Sequence, residues 1–485
     1  MSQRADRLRT SDSDARSGRS AQKLIDGPIS STLAKFALPL LVTSFLHSLV
    51  GTWSAIWVSR VLEPNALSAV VTANVFMYMM LGTAMGIGTS SGVAVGQSLG
   101  ANDPNAVRRV VGTSLTMVIG LATVFAVAGW ILTPNILDLM GTPLAARHFA
   151  DIHLRYTCLT VPSLFTYIVM MMMLRGSGDS KTPFRFTLIW IGLSLILVPI
   201  LLTGSFGFPK LGMAGVAIGS LLANTTALLA LVAYVYVKRL PIALHGPDIR
   251  HLRPDPVLLR ILFKRGFPMA IESLIVQGAY FVLLAMVNAY GASTAAAYAG
   301  AAQLWSYVQM PANALSSSMA AMVAINIGAR RWDRVEQIAL RGSLLAFSVC
   351  SALALLIYAL GDLPLSLFIP AGSPVMAQAR EINDIVLWGW IALSISLGIF
   401  GVVRGNASML APTLIFALTM WGFRVPFAVF LQPLLGAKAI WWSFPFGSVC
   451  AALMAFGYYR WGAWRKLQAR IEEPPASTDD GRVGE

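Results

Sequence analysis

Side chains that could exchange a proton or hold an ion stand within long apolar runs, among them His47, Glu272 and Arg424. An ionisable group at such a place marks a functional site by default, because it must face water, a partner or a substrate. Glu272 is the carboxylate placed within a run away from its ends, and could titrate or hold a cation. It lies one turn after Pro268, so an ordinary ion pair with Lys264 or Arg265 at the membrane surface is its other reading. His47 is the histidine farthest from the ends of its run, either a second titrating group or a core residue hydrogen-bonded to a neighbouring helix. Arg424, in Trp421-Gly422-Phe423-Arg424-Val425-Pro426, reads as a bridge to a carbonyl freed by Pro426 or as an anion contact. Neutral polar residues recur with them. Asn74 and Tyr78 are echoed 229 positions later by Gln303 and Tyr307, and Gln277 and Tyr280 follow Glu272 on nearby turns. Residues four apart share a helix face, so each half would turn an amide and a phenol to one side, as cavity lining or as glue between helices. The expected ion-coupling residues are therefore Glu272 and His47, and the expected substrate-cavity residues Asn74, Tyr78, Gln277, Tyr280, Gln303 and Tyr307.

The elements that must position them are membrane spans. The chain is 56% hydrophobic and 12% charged, against about 25% charged for a soluble domain, and its mean hydropathy is +0.67. Apolar runs of the length that crosses a hydrocarbon core lie near 33–58, 66–95, 109–132, 150–173, 185–205 and 212–237. Six more lie near 267–289, 293–325, 342–361, 383–403, 411–433 and 439–459. Strand alternation is not sustained, and backbone in lipid must be satisfied within a helix or closed barrel. The fold class expected is an all-α polytopic membrane protein of twelve helices. With the N-terminus inside, 29 of the 36 Lys and Arg fall on the inner side and six on the other, so both termini are expected in the cytoplasm. That placement accounts for the net charge of +14 without a nucleic-acid partner.

A duplicated motif ties the halves together. Arg175-Gly176-Ser177-Gly178-Asp179-Ser180-Lys181-Thr182-Pro183 recurs, weakened, as Arg404 to Pro412, retaining Arg404, Gly405 and Pro412 at an offset of 229. Pro39 and Pro268 share that offset, and Leu99-Gly100-Ala101 is echoed by Ile327-Gly328-Ala329. A fixed offset across landmarks signals duplication, and an even number of spans per half makes the repeat parallel. Secondary transporters use such repeats, with the site at their interface. The motif is expected to be architectural, turning the chain on the cytoplasmic side while its arginines meet helix ends or lipid phosphates. The division expected is a disordered cytoplasmic tail (1–28), an N-lobe (29–238), an interlobe loop (239–255), a C-lobe (256–466) and a disordered tail (467–485). No apolar segment precedes the first run, so no cleaved signal is expected. Cys158, Cys350 and Cys450 are too scattered for a disulfide framework or a metal site. No P-loop, metal helix, dinucleotide fingerprint or nucleophile elbow occurs, so no cofactor, no catalytic residue and no enzyme is expected.

Several short stretches in this order resemble the multidrug and toxic compound extrusion (MATE) family of secondary transporters. They are Phe36-Ala37-Leu38-Pro39-Leu40, Gly96-Gln97-Ser98-Leu99-Gly100-Ala101, Leu174-Arg175-Gly176-Ser177-Gly178-Asp179, Gly212-Met213-Ala214-Gly215, Gly266-Phe267-Pro268-Met269-Ala270-Ile271-Glu272 and Arg404-Gly405. The resemblance covers about Gly27 to Lys466. It implies two V-shaped six-helix lobes in the bacterial inner membrane, exporting amphipathic, often cationic compounds in exchange for H⁺ or Na⁺, here expected as a monomer. The chain departs from the family where coupling aspartates commonly stand in the first and fifth spans, having Ser54, Ser194 and Val198 there. The carboxylate many relatives place deeper in the seventh span falls near Val276 and Gln277, whereas Glu272 matches a glutamate of some DinF-like relatives. The function expected is efflux by H⁺ antiport, with Na⁺ the lesser expectation. A lipid or lipid-linked precursor flippase is the alternative within transport, and an intramembrane enzyme or non-transporting receptor the alternative outside it.

Overall fold

The computed structural model describes residues 22–62, 64–142, 144–370 and 372–465, excepting the side chains of residues 64–69, 71–75, 79 and 145. Twelve long helices follow one another: α1 (Ile29–Val61), α2 (Pro64–Gly100), α3 (Pro104–Leu139), α4 (Leu144–Gly176), α5 (Lys181–Thr203) and α6 (Met213–Val237), then α7 (Pro256–Asn288), α8 (Ala292–Gly328), α9 (Trp332–Leu360), α10 (Pro374–Gly405), α11 (Leu410–Leu435) and α12 (Lys438–Trp461). Most exceed the apolar runs that announce them. A helix of 33 residues is about 50 Å long, against a hydrocarbon core of about 30 Å, so its ends stand in water and carry polar residues. Among the described residues, ten of these helices are long and apolar enough to cross a membrane by length and composition. Among the described residues there is no strand.

Local chemistry starts these helices. Pro104, Pro256 and Pro374 occupy first turns, where a missing N–H costs nothing, behind Asp103, Asp255 and Ser373, whose side-chain oxygens accept backbone N–H groups of that turn. The duplication reaches the backbone. Gly178 and Ala407, 229 positions apart, both have positive φ (87° and 58°), as do Asn102 and Arg330 (56° and 58°).

The halves meet through α1 and α2 of one and α7 and α8 of the other, α2 packing on α7 and α8 while α1 packs on α8. Glycine permits the approach. A Cβ on Gly86 would overlap the Gly266 carbonyl; one on Gly100 would overlap that of Ile325, and one on Gly328 that of Gln97. At the same end, Gln97 Nε2 donates to the Gly405 carbonyl at 3.1 Å.

One segment departs from expectation. Residues 22–26 form a helical turn rather than continuing the polar tail. Leu24 is buried, and the amides and guanidinium of Asn326 and Arg334 hold the carbonyls of Leu24 and Gly27. One apolar side chain and two side-chain donors suffice to order it. The loop over 239–255 is likewise bound, lying along α3, where the Thr116 hydroxyl donates to the Leu252 carbonyl at 2.6 Å and Arg108 and Arg109 pair with Asp248 and Asp255. The expected tails over 1–21 and 467–485 lie outside the described residues.

Candidate substrate cavity and ion-coupling site

Between the halves, chiefly in the second, lies a cavity of about 570 Å³, within the range of drug-sized ligand pockets. Its walls come from α2, α7, α8, α10, α11 and α12. Tyr78, Glu272, Gln277 and Tyr280 line it. A second cavity of about 400 Å³ shares Met85, Asn313 and Arg404 with the first and extends to Arg175 and Gly176 in the first half.

Glu272 is held by groups other than Lys264 or Arg265. Arg404 Nη2 lies 2.6 Å from its Oε1, each side chain being 15% exposed. The Thr413 hydroxyl is 3.2 Å from Oε2 and also near the carbonyls of Pro268 and Met409, at 3.0 and 3.1 Å. One carboxylate on α7 thus joins the end of α10 to the start of α11.

This corrects the reading of the repeated motif as purely architectural. Side chains on a helix lean toward its N-terminus, so an arginine in the last turn reaches back into the bundle rather than out to lipid phosphates. Arg404 does so on α10 and Arg175 on α4, and both line the second cavity. The rest of the motif does build the turn. Asp179 Oδ1 accepts the N–H groups of Lys181 and Thr182 at 3.0 and 2.9 Å. Gly176 admits the backbone of Gly92, and Gly405 lies against Val323. Pro183 and Pro412 are buried.

The expected symmetry of amide and phenol across the interface is not realised. On α8 the face toward the cavity is Tyr298, Ala302, Trp305, Ser306, Gln309 and Asn313; Gln303 and Tyr307 lie about 100° round the helix from Ala302 and Ser306. Neither lines the cavity, and Tyr307 instead packs near Phe45 and Phe368, with ring centroids 6.0 and 6.3 Å apart. The side chain of Asn74 lies outside the described residues. His47 does not join Glu272. It is exposed on α1, with its ring edge-on to Trp190 of α5 at 4.8 Å, and lines neither cavity.

The positions where the resemblance led one to look for aspartates carry no charge. Ser54 is half-buried, the Ser194 hydroxyl is buried with no partner, and Val198 is buried against Gly219. Among the described residues no carboxylate of the first half lines either cavity. Val276 and Gln277 face the larger one.

Sequence reasoning missed most of the wall. Tyr298 lies 5.4 Å from Trp305 and 5.6 Å from Trp441, while Trp390 and Phe444 meet at 4.8 Å. Arg424 Cζ sits 4.8 Å from the Phe444 ring centroid. The intramembrane charge was a signal for Arg424; the tryptophans offered none, since aromatic residues in a span are usually packing. Arg424 closes a π-helical stretch, Leu418–Arg424, a wide turn often found at functional sites.

Paired six-helix units around a cavity lined by aromatic rings and one carboxylate–guanidinium pair define a duplicated membrane transporter. Comparison with known proteins agrees. The MatE family model matches residues 39–200 and 268–430, one copy in each half. The chain is 32% identical over 439 residues to the probable multidrug resistance protein YoeA of Bacillus subtilis, covering 90% of this chain and 94% of that protein. It is 24% identical to the probable multidrug resistance protein YpnP of the same organism, covering 93% and 100%. It superposes on the outward-facing conformation of a multidrug resistance MATE family transporter of the MOP superfamily with a TM-score of 0.83 at 20% identity, covering 92% and 98%. The chain belongs to the MATE family of multidrug efflux transporters.

Proposed function

We propose that this protein exports amphipathic small molecules by proton antiport, and that Glu272 with Arg404 is the coupling element. The observation that carries this is the position of the carboxylate: it lines the cavity and holds Arg404 of α10 and Thr413 of α11 at once. Protonation removes its charge, and with it most of the attraction that joins the three helices, so proton binding and helix rearrangement become one event. Sodium is the poorer fit. A bound cation needs several oxygen ligands, and here the nearest strong neighbour of Oε1 is itself a cation at 2.6 Å. His47 stands apart from this pair and takes no part in it.

The positive-inside distribution supports an inner-membrane protein with both termini cytoplasmic; the unit proposed is a monomer of two lobes, 29–238 and 256–466. The close crossing of Gly100 and Gly328 then lies on the cytoplasmic side, with the cavity toward the outside. A flippase is the second reading, favoured by Arg175 and Arg404 in the smaller cavity.

Proteoliposomes carrying an imposed pH gradient test the coupling. The expected result is that Glu272→Gln lowers gradient-driven dye export by about tenfold or more, the counterpart of about 1.4 kcal/mol, while dye binding persists. Unchanged export by that variant would sink the assignment, and phospholipid scrambling without dye export would favour the flippase.

A further inference from the structure

We infer that the larger cavity takes an aromatic organic anion, its acidic group on Arg424 and its flat body among the rings of Tyr298, Trp390, Trp441 and Phe444. The inference rests on the efflux reading and names the substrate class of the same site.

Charge comes first. The cavity is lined by two guanidinium groups and one carboxylate. Glu272 is taken by Arg404 at 2.6 Å. Among the described residues Arg424 has no carboxylate within salt-bridge reach, and its Nη1 contacts the weak acceptor Met420 Sδ at 3.7 Å. Arg424 also hydrogen-bonds to the Tyr298 phenol, and the Tyr280 phenol feels its charge, but neither is an anion. A half-buried cation without a counter-charge is costly, and an anionic ligand is the group that offsets the cost.

Hydrogen bonding gives the same sign independently. Three buried side-chain atoms of the lining residues have no partner: Trp390 Nε1, Arg404 Nε and Arg424 Nε. All three are donors that cannot accept. The smaller cavity repeats the pattern with Arg175 Nε. Buried donors are normally satisfied, and a ligand rich in acceptor oxygens would satisfy these. A cationic drug brings donors of its own and a charge that Arg424 repels. The aromatic walls choose the body of the ligand: Phe444 lies 4.8 Å from Trp390, tilted at 49°, and 4.8 Å from the Arg424 guanidinium, an aromatic and cationic surface that suits a planar ring.

Two xanthene dyes of opposite charge, fluorescein and rhodamine 6G, test this with the full-length protein in phosphatidylcholine proteoliposomes. Binding is followed by fluorescence anisotropy and export by dye release. The expected result is that wild type binds fluorescein about tenfold or more tighter than rhodamine 6G, and that Arg424→Gln removes this preference by weakening fluorescein alone, the scale of one charge-assisted hydrogen bond. Arg424→Lys, which keeps the charge, should retain an intermediate preference and shows that loss in the glutamine variant is not misfolding. Equal or tighter binding of rhodamine 6G by wild type, or an unchanged fluorescein affinity in Arg424→Gln, overturns the inference. An Arg424-dependent loss of fluorescein binding when phosphatidylglycerol replaces part of the phosphatidylcholine also overturns it, by assigning the site to a lipid headgroup. Failure of the two readings separates cleanly: export of rhodamine 6G without fluorescein leaves efflux standing and removes the anion, whereas fluorescein binding without export of either dye does the reverse.

Discussion

At the scale of single residues, the polar contents of this cavity are a small set of charges whose partners decide their roles. Glu272 and Arg404 neutralise one another at 2.6 Å, so each is the other's reason for being tolerable in the membrane. Removing one partner of a fully buried pair costs about 3–5 kcal/mol; with both side chains 15% exposed and a cavity beside them, about 1–3 kcal/mol is the better expectation. Arg404→Gln should therefore lower thermal stability in detergent more than Glu272→Gln with Arg404→Gln together, because the double variant leaves no uncompensated charge. Additive losses would show that the pair is not coupled. Tyr78 and Tyr280, both exposed toward the cavity, offer phenols that can donate or accept and so fit either sign of ligand. Arg424 cannot accept, and so it sets the charge preference of the cavity.

At the scale of elements, helix ends do more here than stop helices. The last turns of α4 and α10 throw arginines back into the interior, and the first turn of α7 is tied to α3. Asp255 accepts Val257 N–H at 3.0 Å and Leu258 N–H at 3.3 Å, and Arg109 lies 2.6 Å from its Oδ2. The hydrogen bond from Arg109, joined by the backbone donors, holds this carboxyl below the usual carboxylate range. A depressed value means the stabilisation is fully present above the unfolded-state pKa of about 3.9 and is lost as pH falls through the folded value. Hydrogen exchange over residues 246–258 should accordingly rise on acidification below about pH 4 in the wild type. Asp255→Ala should raise it already at neutral pH, by the equivalent of about 1 kcal/mol for a lost cap, and show little further acid dependence. Exchange that ignores both changes would mean the tether is idle. In α11 the π-helical stretch and Pro426, which leaves the Gly422 carbonyl without its usual helical donor, give a segment with little rigidity of its own. Trp421 Nε1 secures it to the Ile275 carbonyl of α7 at 3.0 Å, within one turn of Glu272.

At the scale of the whole molecule, the halves are joined by backbone approach at one end and separated by a cavity nearer the middle. The crossing of α2 and α8 depends on two glycines, Gly100 and Gly328, where any Cβ would overlap a carbonyl of the other helix. Gly328→Val should therefore disfavour this closed end. Spin labels at Asn105 and Asp333, both exposed beyond the crossing, would report a longer and broader distance distribution in the variant by double electron–electron resonance. An unchanged distribution would mean that the crossing relaxes around the side chain and does not gate access.

The sequence by itself determined the number and type of the elements, their duplication, and the family. Length and apolarity follow from the thickness of a bilayer, and a turn such as Arg175 to Pro183 needs its glycine and proline wherever it occurs, so both survive in the linear order. It also singled out Glu272 and Arg424, because a charge within an apolar run is visible without a fold. Partners were another matter. Arg404 was legible as a turn residue and became the counter-ion of Glu272, 132 positions away; Tyr307, echo of Tyr78 in the repeat, faces Phe45 instead of the cavity. Such choices depend on the rotation of one helix against another, and a shift of a single residue swings a side chain by 100°. The sequence records which groups exist and at what spacing, whereas only the tertiary structure decides which of them meet, since electrostatics and hydrogen bonding act over a few ångströms that no spacing along the chain encodes.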